Sequence, residues 1–328
     1  MATIDDLRQR ISPDVRAGEL LAPHTTFRIG GPAEFFFEAK TSDDAVKAVR
    51  AAAELGLPFF ILGGGSNTLV SDDGIKGLTL KMANRGVAVD GTKLTVEAGT
   101  PTSFASLKAA EANLAGLEWA SGLPGTVGGA IRGNAGCYGG DMRACVETVR
   151  VLDGAEVKVL TSADCGFAYR TSVFKREPGR LILSAELRLR PGEGVEAVKV
   201  LMQKNVLDKK AKQPIEAHTA GCVFVNWKPQ SEDDVRIVRR GLDLNKEEVV
   251  PFTADGSIPA AWIIDRAQLK EMKVGHVSIS AKHANFFVND GQGRASEVIA
   301  LTSAVKMKIR DMTEGVVLLN DEIEYAGY

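Results

Sequence analysis

The sequence contains little cysteine and little histidine, and both shortages limit the chemistry that it can support. Its 328 residues include 4 cysteines and 4 histidines. The cysteines show no Cys-x-x-Cys spacing, which in a chain of this length argues against a disulfide framework and predicts free thiols in a reducing compartment. No group of histidine, cysteine and carboxylate residues has the spacing of metal ligands, so we expect no metal site.

The chain also lacks a large excess of charge and any long apolar run. Its net charge of −2 gives no electrostatic basis for binding nucleic acid or an anionic membrane. No apolar run approaches the roughly 20 residues that span a bilayer, so we expect no membrane insertion. The first residues, MATIDDLRQRISPD, do not have the pattern of a signal peptide. With 45% hydrophobic and 25% charged residues, the composition predicts a cytoplasmic globular protein of two or three domains.

Glycine, in contrast, is abundant and concentrates in one stretch, from Gly116 to Met142, which holds nine of the 34 glycines. Such a backbone can turn sharply and can present its N–H groups to phosphates or to a flat ring. Taken alone, the number of glycines favours an ordinary cluster of tight turns. Another glycine loop, Gly63–Asn67, is the first of the two along the chain and directly follows the apolar run Phe59–Leu62, which is the order of a phosphate-binding turn. Together the two loops predict a site for a large phosphate-bearing cofactor.

Neither loop matches the two best-known phosphate motifs. No Lys-Ser or Lys-Thr follows Gly63–Asn67, as a P-loop requires. Thr68–Gly74 has the pattern of a strand and a turn, whereas a Rossmann turn opens a long helix. The pattern therefore favours a phosphate-binding loop on a mostly β framework.

Hydrophobic periodicity and capping residues predict the main secondary-structure elements. The predicted elements are a helix capped by Ser42 and ending at Gly56, a helix after Pro101 with Phe104 and Leu107 on one side, a hairpin around Asp153-Gly154, a half-buried strand over Leu181–Leu189, a helix over Val195–Lys212, a long helix over Ala295–Met312, and a final strand over 316–325.

Eight stretches occur in a specific order along the chain. They are TFRIGGPAEFF, LGGGSNTLV, GLPGTVGGAIRGNAGCYGGD, FAYRTSVFK, AGCVFVN, AAWIIDRAQLK, VSISAKHANFFVN and LLNDEIE. Together they resemble the UDP-N-acetylenolpyruvoylglucosamine reductase (MurB) family, from about His24 to the C-terminus. The segment after Arg170 leaves little room for an inserted loop, so the resemblance is to the shorter family type without a tyrosine-bearing lid.

This resemblance implies an α+β fold, with an FAD-binding domain of the vanillyl-alcohol-oxidase (PCMH) type and a C-terminal α+β substrate domain. The implied parts are 1–62 with 313–328, where the last strand completes an N-terminal βαβ unit, then 63–195 for FAD, and 196–312 for substrate. It further implies non-covalent FAD, reduction by NADPH, and conversion of UDP-N-acetylglucosamine enolpyruvate to UDP-N-acetylmuramate for the peptidoglycan cell wall, and hence a part in cell shape and division. We expect a monomer.

The resemblance assigns three catalytic side chains. Arg170, in the motif Tyr169–Ser172, would stabilise the enolate-like dianion formed beside the substrate carboxylate. Glu322 would assist at the same carboxylate, with Asp321 as an alternative. Cys222 stands where many relatives have serine, and its thiol would protonate the carbanion. Without the resemblance, Arg170 and Glu322 would be interpreted as surface charges and Cys222 as a small core residue.

The resemblance also assigns binding residues. The implied substrate contacts are Tyr169, Gly221, Asn226 and His283. The implied FAD contacts are Arg28, Gly63, Gly64, Gly65, Ser66, Asn67, Thr68, Gly122, Leu123, Pro124, Gly125, Thr126, Gly129, Asn134 and Gly136.

Two other functions remain open at this stage. One is an oxidase of the same flavin superfamily acting on an alcohol or sugar, with FAD attached covalently, for which Cys137 would be a candidate. The other is a UDP-sugar binding module without redox activity. The role of the long stretch Lys228–Ser257 is also open.

Overall fold

The computed structural model describes residues 2–328, and their contacts group them into two compact units. Each unit has its own apolar core. In the described part of the chain, no helix combines the length and the apolar character needed to cross a lipid bilayer. The first unit comprises the chain up to Leu20, Pro32–Gly65 and Ile75–Ala211, and the second comprises Leu21–Gly31, Ser66–Gly74 and Lys212–Tyr328.

Helices and strands are interspersed along residues 2–328, together with three short 3₁₀ helices. The helices are α1 (Ile4–Arg10), α2 (Ser42–Glu54), α3 (Thr102–Glu111), α4 (Val127–Arg132), α5 (Val173–Arg176), α6 (Val195–Lys212), α7 (Glu232–Gly241), α8 (Ala260–Arg266) and α9 (Ala295–Met312). The strands are β1 (Arg16–Leu20), β2 (Pro32–Ala39), β3 (Phe59–Leu62), β4 (Thr68–Val70), β5 (Ile75–Met82), β6 (Val87–Asp90), β7 (Lys93–Glu97), β8 (Leu114–Ala115), β9 (Gly136–Cys137), β10 (Gly140–Asp141), β11 (Val146–Asp153), β12 (Glu156–Thr161), β13 (Leu181–Arg188), β14 (Arg190–Pro191), β15 (Lys273–Val274), β16 (Val277–Ile279), β17 (Phe287–Asn289) and β18 (Glu324–Ala326).

A four-stranded sheet in the first unit ends where the first glycine loop begins. Its strand order is β1-β2-β5-β3, with β2 and β3 both parallel to β5. Helix α2 buries Ala45, Val46 and Val49, and Thr41 caps it through a reciprocal bond with Asp44. The predicted helix is confirmed, with its cap one residue earlier than Ser42, because the Thr41 hydroxyl is the group that accepts the Asp44 N–H.

The second sheet of this unit carries the predicted hairpin. Its order is β12-β11-β13-β7-β6, and every neighbouring pair is antiparallel. The hairpin of β11 and β12 and the strand β13 are confirmed. Both faces of β13 are buried over most of its length, since Ile182 and Ser184 are nearly as inaccessible as Leu181 and Leu183. The half-buried strand predicted from its alternation is therefore a mostly buried one.

The second unit is built around the long C-terminal helix. The face of α9 that carries Val298, Val305 and Ile309 is fully buried against the core. Its first turn receives a carboxylate from a distant part of the chain, because Asp72 accepts the N–H groups of Ala295 at 2.8 Å and Ser296 at 3.1 Å. A three-stranded sheet, β15-β16-β17, belongs to the same unit.

Two local expectations are wrong. Phe104 and Leu107 are 44% and 38% exposed, and α3 instead buries the opposite face with Ala105 and Ala109. The final strand is limited to β18, and it pairs in parallel with β4 rather than completing the N-terminal sheet. The reason is that residues 316–320 make only isolated backbone bonds, from the Val316 N–H to the Thr313 C=O and from the Val225 N–H to the Asn320 C=O, before the chain reaches β18.

Candidate active site

The two glycine loops are in direct contact within the first unit. Gly63 and Gly64 follow β3 at once and lie against the second loop. A Cβ atom added to Gly63 would lie 2.7 Å from Thr126 Oγ1, and one added to Gly64 would lie 2.6 Å from Gly125 Cα. Only glycine therefore permits this approach of the two backbones, and the segments that the sequence associates with one cofactor are neighbours.

The second loop leads into a short helix. Thr126 precedes α4, and its hydroxyl accepts the Gly129 N–H at 3.4 Å. Gly125 has a φ of +101°, a conformation that favours glycine. The loop backbone is held from α6, whose Lys209 donates to the Gly122 carbonyl at 2.9 Å, and from Thr102, which donates to the Leu123 carbonyl at 2.6 Å.

A glycine cradle of this kind fits a bound cofactor. Gly63, Gly64, Gly122, Leu123 and Gly125 are partly accessible and Pro124 is exposed, whereas Gly65 and Thr126 are buried. The uncovered main-chain groups are suited to phosphates and a planar ring. In the same unit, Gly129 is exposed and Gly136 begins the small β9–β10 hairpin.

Arg170 lies on a tight turn that is attached to this glycine segment. Ala168 and Thr171 pair across the turn, and Arg170 itself has a φ of +55°. Its guanidinium donates to the Gly136 carbonyl at 3.1 Å and lies 5.4 Å from the centre of the Tyr169 ring. Tyr169 is 51% exposed. The structure thus places Tyr169 and Arg170 beside the second glycine loop, as a shared site requires.

Both polar atoms of the Asn134 side-chain amide make hydrogen bonds within the protein. Asn134 is buried, its Oδ1 accepts the Arg143 N–H at 3.0 Å, and its Nδ2 donates to the Ala168 carbonyl at 3.0 Å and to Asp141 at 3.4 Å. Two donors and one acceptor are thereby occupied. The side chain of Asn134, a residue predicted to contact FAD, connects the glycine segment to the Arg170 turn.

The second unit brings Cys222 and Glu322 onto adjacent chain segments. The Glu322 N–H donates to the carbonyl of Val223, the residue after Cys222, at 2.8 Å. Cys222 pairs on its other side with Phe286. Gly221 has a φ of +81°, and an added Cβ there would meet no atom within 4 Å, so the space beside Gly221 is open. Cys222 and Glu322 are both partly accessible.

Asn67 fixes the other side of the Glu322 peptide. Its Nδ2 donates to the Glu322 carbonyl at 3.0 Å, and its own carbonyl accepts the Glu324 N–H at 2.9 Å. Thr68 continues this contact as the first residue of β4, opposite Glu324. Asn67 therefore anchors the segment that carries the predicted acid. Ser66 lies beside it and is partly accessible.

The neighbouring acid, Asp321, has different partners. Its carboxylate lies 2.8 Å from Lys306 Nζ and accepts a bond from the Tyr325 hydroxyl at 3.2 Å. Burial and the Asp321 carboxylate raise the pKa of Tyr325, so the phenol remains protonated as a donor. Asp321 is thus engaged in contacts with its local surroundings, which supports the choice of Glu322 over Asp321 as the proposed catalytic acid.

The remaining predicted residues of the second unit have mixed surroundings. Asn226 Oδ1 accepts the Ala260 N–H at 3.3 Å, which positions it at the start of α8. His283 is half-buried, its ring lies 4.7 Å from that of Phe286, and the Ser280–Phe286 turn joins it to the partner of Cys222. Arg28 is exposed and donates to the Pro23 carbonyl at 2.8 Å.

The other cysteines have the features of inert thiols. Burial raises the pKa of Cys145 to about 12 and that of Cys165 to about 11. Burial also raises the pKa of Cys137, whose Sγ donates to the Trp119 carbonyl at 3.2 Å. A thiol held in this way is a poor nucleophile, which does not favour covalent attachment of flavin at Cys137.

Sequence reasoning missed Ser172, whose hydroxyl donates to the Arg132 carbonyl at 2.7 Å, and the bond from Lys209 to Gly122. The position of Ser172 in the Tyr-Arg-x-Ser motif was the available signal. Across residues 2–328, no group of three or more metal-ligating side chains is close enough to hold a metal ion.

Two family models match the chain. One is described as an FAD binding domain and matches residues 33–162. The other is described as the C-terminal domain of UDP-N-acetylenolpyruvoylglucosamine reductase and matches residues 213–326. These matches confirm the predicted FAD-binding and C-terminal domains within an α+β fold.

Similarity to individual proteins extends over nearly the whole chain. The sequence is 33% identical over 319 residues to a UDP-N-acetylenolpyruvoylglucosamine reductase of Solibacter usitatus, covering 95% of this chain and 97% of that protein. It is 33% identical over 326 residues to one of Anoxybacillus flavithermus, covering 98% of each. The crystal structure of MurB from Thermus caldophilus, 29% identical, matches with a TM-score of 0.73 over 94% of this chain and 97% of that chain. The chain therefore belongs to the UDP-N-acetylenolpyruvoylglucosamine reductase family.

Proposed function

We propose that this protein uses FAD and NADPH to reduce UDP-N-acetylglucosamine enolpyruvate to UDP-N-acetylmuramate, a step in peptidoglycan precursor synthesis. The observation that carries the proposal is family membership over nearly the whole chain. The contact between the two glycine loops supports one shared cofactor site, and the match to an FAD binding domain supports FAD as its occupant. A cytoplasmic monomer that contributes to cell shape and division is part of the same proposal.

FAD held at the two glycine loops would supply the hydride that is added to the vinyl carbon of the substrate. Negative charge then develops on the neighbouring carbon and its carboxylate. Arg170 is suited to stabilise this dianion, because a guanidinium is always charged and can hold a carboxylate through two donors. Its attachment to the glycine segment through the Gly136 carbonyl supports this role. Glu322 is proposed to act at the same carboxylate with a proton or a hydrogen bond, since two bare anions would repel each other.

Cys222 is proposed to deliver the proton that completes the lactyl group. A thiol has an ordinary pKa of about 8.5 and is a far stronger acid than the serine hydroxyl found in many relatives. The open space beside Gly221 and the partial accessibility of Cys222 support contact with a substrate. The Glu322 N–H bond to Val223 places the two residues on paired segments of the second unit.

Anaerobic half-reactions test the proposal. NADPH should bleach the flavin absorbance, and the enolpyruvyl sugar nucleotide should then restore it. Cys222→Ala should leave bleaching intact and slow restoration about 10²–10⁴-fold, the usual contribution of a general acid. Cys222→Ser, which keeps a protic group, should be less impaired than Cys222→Ala. Restoration at the wild-type rate in Cys222→Ala would remove Cys222 from the mechanism, and a wild-type protein that is not reoxidised by this sugar nucleotide would refute the function.

A further inference from the structure

The hydroxyl of Ser172 is used in an unusual way for its position. Ser172 immediately precedes α5, where a serine normally caps the helix by accepting one of its N–H groups. Here it makes no such bond and instead donates to the Arg132 carbonyl, at 2.7 Å. Ser172 is completely buried, so no water can replace this bond. The hydroxyl thus joins the residue after the Arg170 turn to the last residue of α4.

A second connection holds the residue before the turn. Asn134 Nδ2 donates to the Ala168 carbonyl at 3.0 Å, and Ala168 and Thr171 exchange backbone bonds of 3.0 and 3.2 Å across the turn. The turn is therefore fixed at both ends to the segment that runs from α4 into β9. Between these points Arg170 has a φ of +55°. A non-glycine residue keeps such a conformation only where its surroundings impose it.

We propose that Ser172 is a positioning residue, whose buried hydroxyl holds Arg170 in the orientation that the reduction of the substrate needs. This inference rests on the proposed function and on the assignment of Arg170 to the substrate carboxylate. Loss of the hydroxyl removes this bond to the Arg132 carbonyl and releases one end of the turn. Arg170 then samples other directions, while the glycine loops keep their own contacts.

Ser106 provides a matched control in the same unit. It is buried to the same degree as Ser172, and its hydroxyl donates to the Leu117 carbonyl at 2.8 Å. Ser106→Ala and Ser172→Ala therefore remove the same kind of bond from equally buried sites. A purely structural role for Ser172 predicts the same consequences for both variants.

The first readout is amide hydrogen exchange of the turn. Ser172→Ala should accelerate exchange at Thr171, whose N–H bonds to Ala168, by about tenfold or more, and Ser106→Ala should leave it unchanged. The second readout is the pair of anaerobic half-reactions. Ser172→Ala should leave flavin reduction by NADPH within about twofold of wild type and slow reoxidation by the sugar nucleotide about 10–100-fold, as a misplacement near 1 Å does. Ser106→Ala should change neither rate.

Further variants make the result decisive. In an Arg170→Lys background, adding Ser172→Ala should cause little further loss, because both changes act on one interaction. If Ser172→Ala does not fold, Ser172→Cys, which retains a weak donor, should show the same selective slowing to a smaller extent. Equal slowing by Ser106→Ala, or unchanged exchange and reoxidation in the Ser172 variants, would overturn the proposal. Failure of the wild-type protein to be reoxidised would overturn the proposed function together with it.

Discussion

His283 is an imidazole whose surroundings favour its neutral form. Burial is the main cause that lowers its pKa below the ordinary 6.5. A hydrogen bond of its own backbone opposes this in part, Lys270 lowers the pKa further, and Asp265 raises it slightly. Its Nδ1 lies 3.3 Å from the Asn285 N–H and accepts that bond, so the ring proton resides on Nε2. A neutral, oriented imidazole beside the turn that contacts Cys222 suits a polar contact with an uncharged part of a substrate.

This depressed pKa predicts a pH dependence of stability. Below about pH 6.5 an unfolded histidine binds a proton that the folded state excludes, so stability falls as the pH drops from there towards the folded pKa. His283→Gln removes this titration. The free energy of unfolding in urea should therefore decrease more steeply from pH 7.5 to 5.5 for wild type than for the variant, with parallel profiles above pH 8. Parallel profiles over the whole range would contradict the assignment.

At the level of the elements, the predicted cofactor site depends on the close contact between the glycine loop that follows β3 and the glycine loop that precedes α4. The Gly64 backbone is so near Gly125 that a single added carbon has no space. Gly133, at the end of α4, is different, because an added Cβ there would meet no atom closer than 3.7 Å. The two positions therefore separate the effect of loop contact from the general effect of replacing a glycine.

Gly64→Ala should push the two loops apart, lower the free energy of unfolding by about 1–3 kcal/mol and weaken flavin binding. Gly133→Ala should retain the wild-type stability and flavin binding, because it adds volume without a clash and its backbone conformation is compatible with a helix. Flavin absorbance after gel filtration and urea unfolding measure the two effects. Full flavin retention and unchanged stability in Gly64→Ala would show that the loops do not depend on this contact.

On the scale of the whole molecule, the two units are not consecutive pieces of sequence. Segments Leu21–Gly31 and Ser66–Gly74 leave the first unit and contribute to the second. Phe27, Ile29 and Leu69 from these segments are almost fully buried in the core of the second unit. The parallel pairing of β4 with β18 connects the same region to the end of the chain.

A fragment of residues 1–211 should consequently fold poorly, although it contains the whole match to the FAD-binding model. It would expose Phe27, Ile29 and Leu69 and leave β4 without β18, which favours aggregation. Binding of a hydrophobic dye and a loss of soluble protein relative to the full chain would show this. Supplying residues 212–328 in trans should restore solubility. A monomeric, cooperatively folding fragment would contradict the prediction.

Much of this protein follows from local patterns. Three features depend on residues that are close in sequence: the apolar spacing and cap of α2, the buried stripe of α9 and the turn of the β11–β12 hairpin. They can therefore be predicted without knowledge of the fold. The glycine loops and the ordered motifs identify the family in the same way. The buried face of α3 could not be predicted in this way, because the small residues Ala105 and Ala109 pack inward while the larger Phe104 and Leu107 do not.

The sequence by itself thus determined the elements, the cofactor class and the chemical types of the site residues. Only the tertiary structure decided that β18 pairs with β4, that Asn134 and Asn67 hold the segments of Arg170 and Glu322, and that Asp321 is committed to Lys306. The strand pairing and the two asparagine contacts join residues that are distant in sequence. The contact with Lys306 distinguishes Asp321 from its neighbour Glu322, which carries the same kind of side chain. Such choices depend on which backbone groups become buried and need a partner, and that is settled when the chain packs.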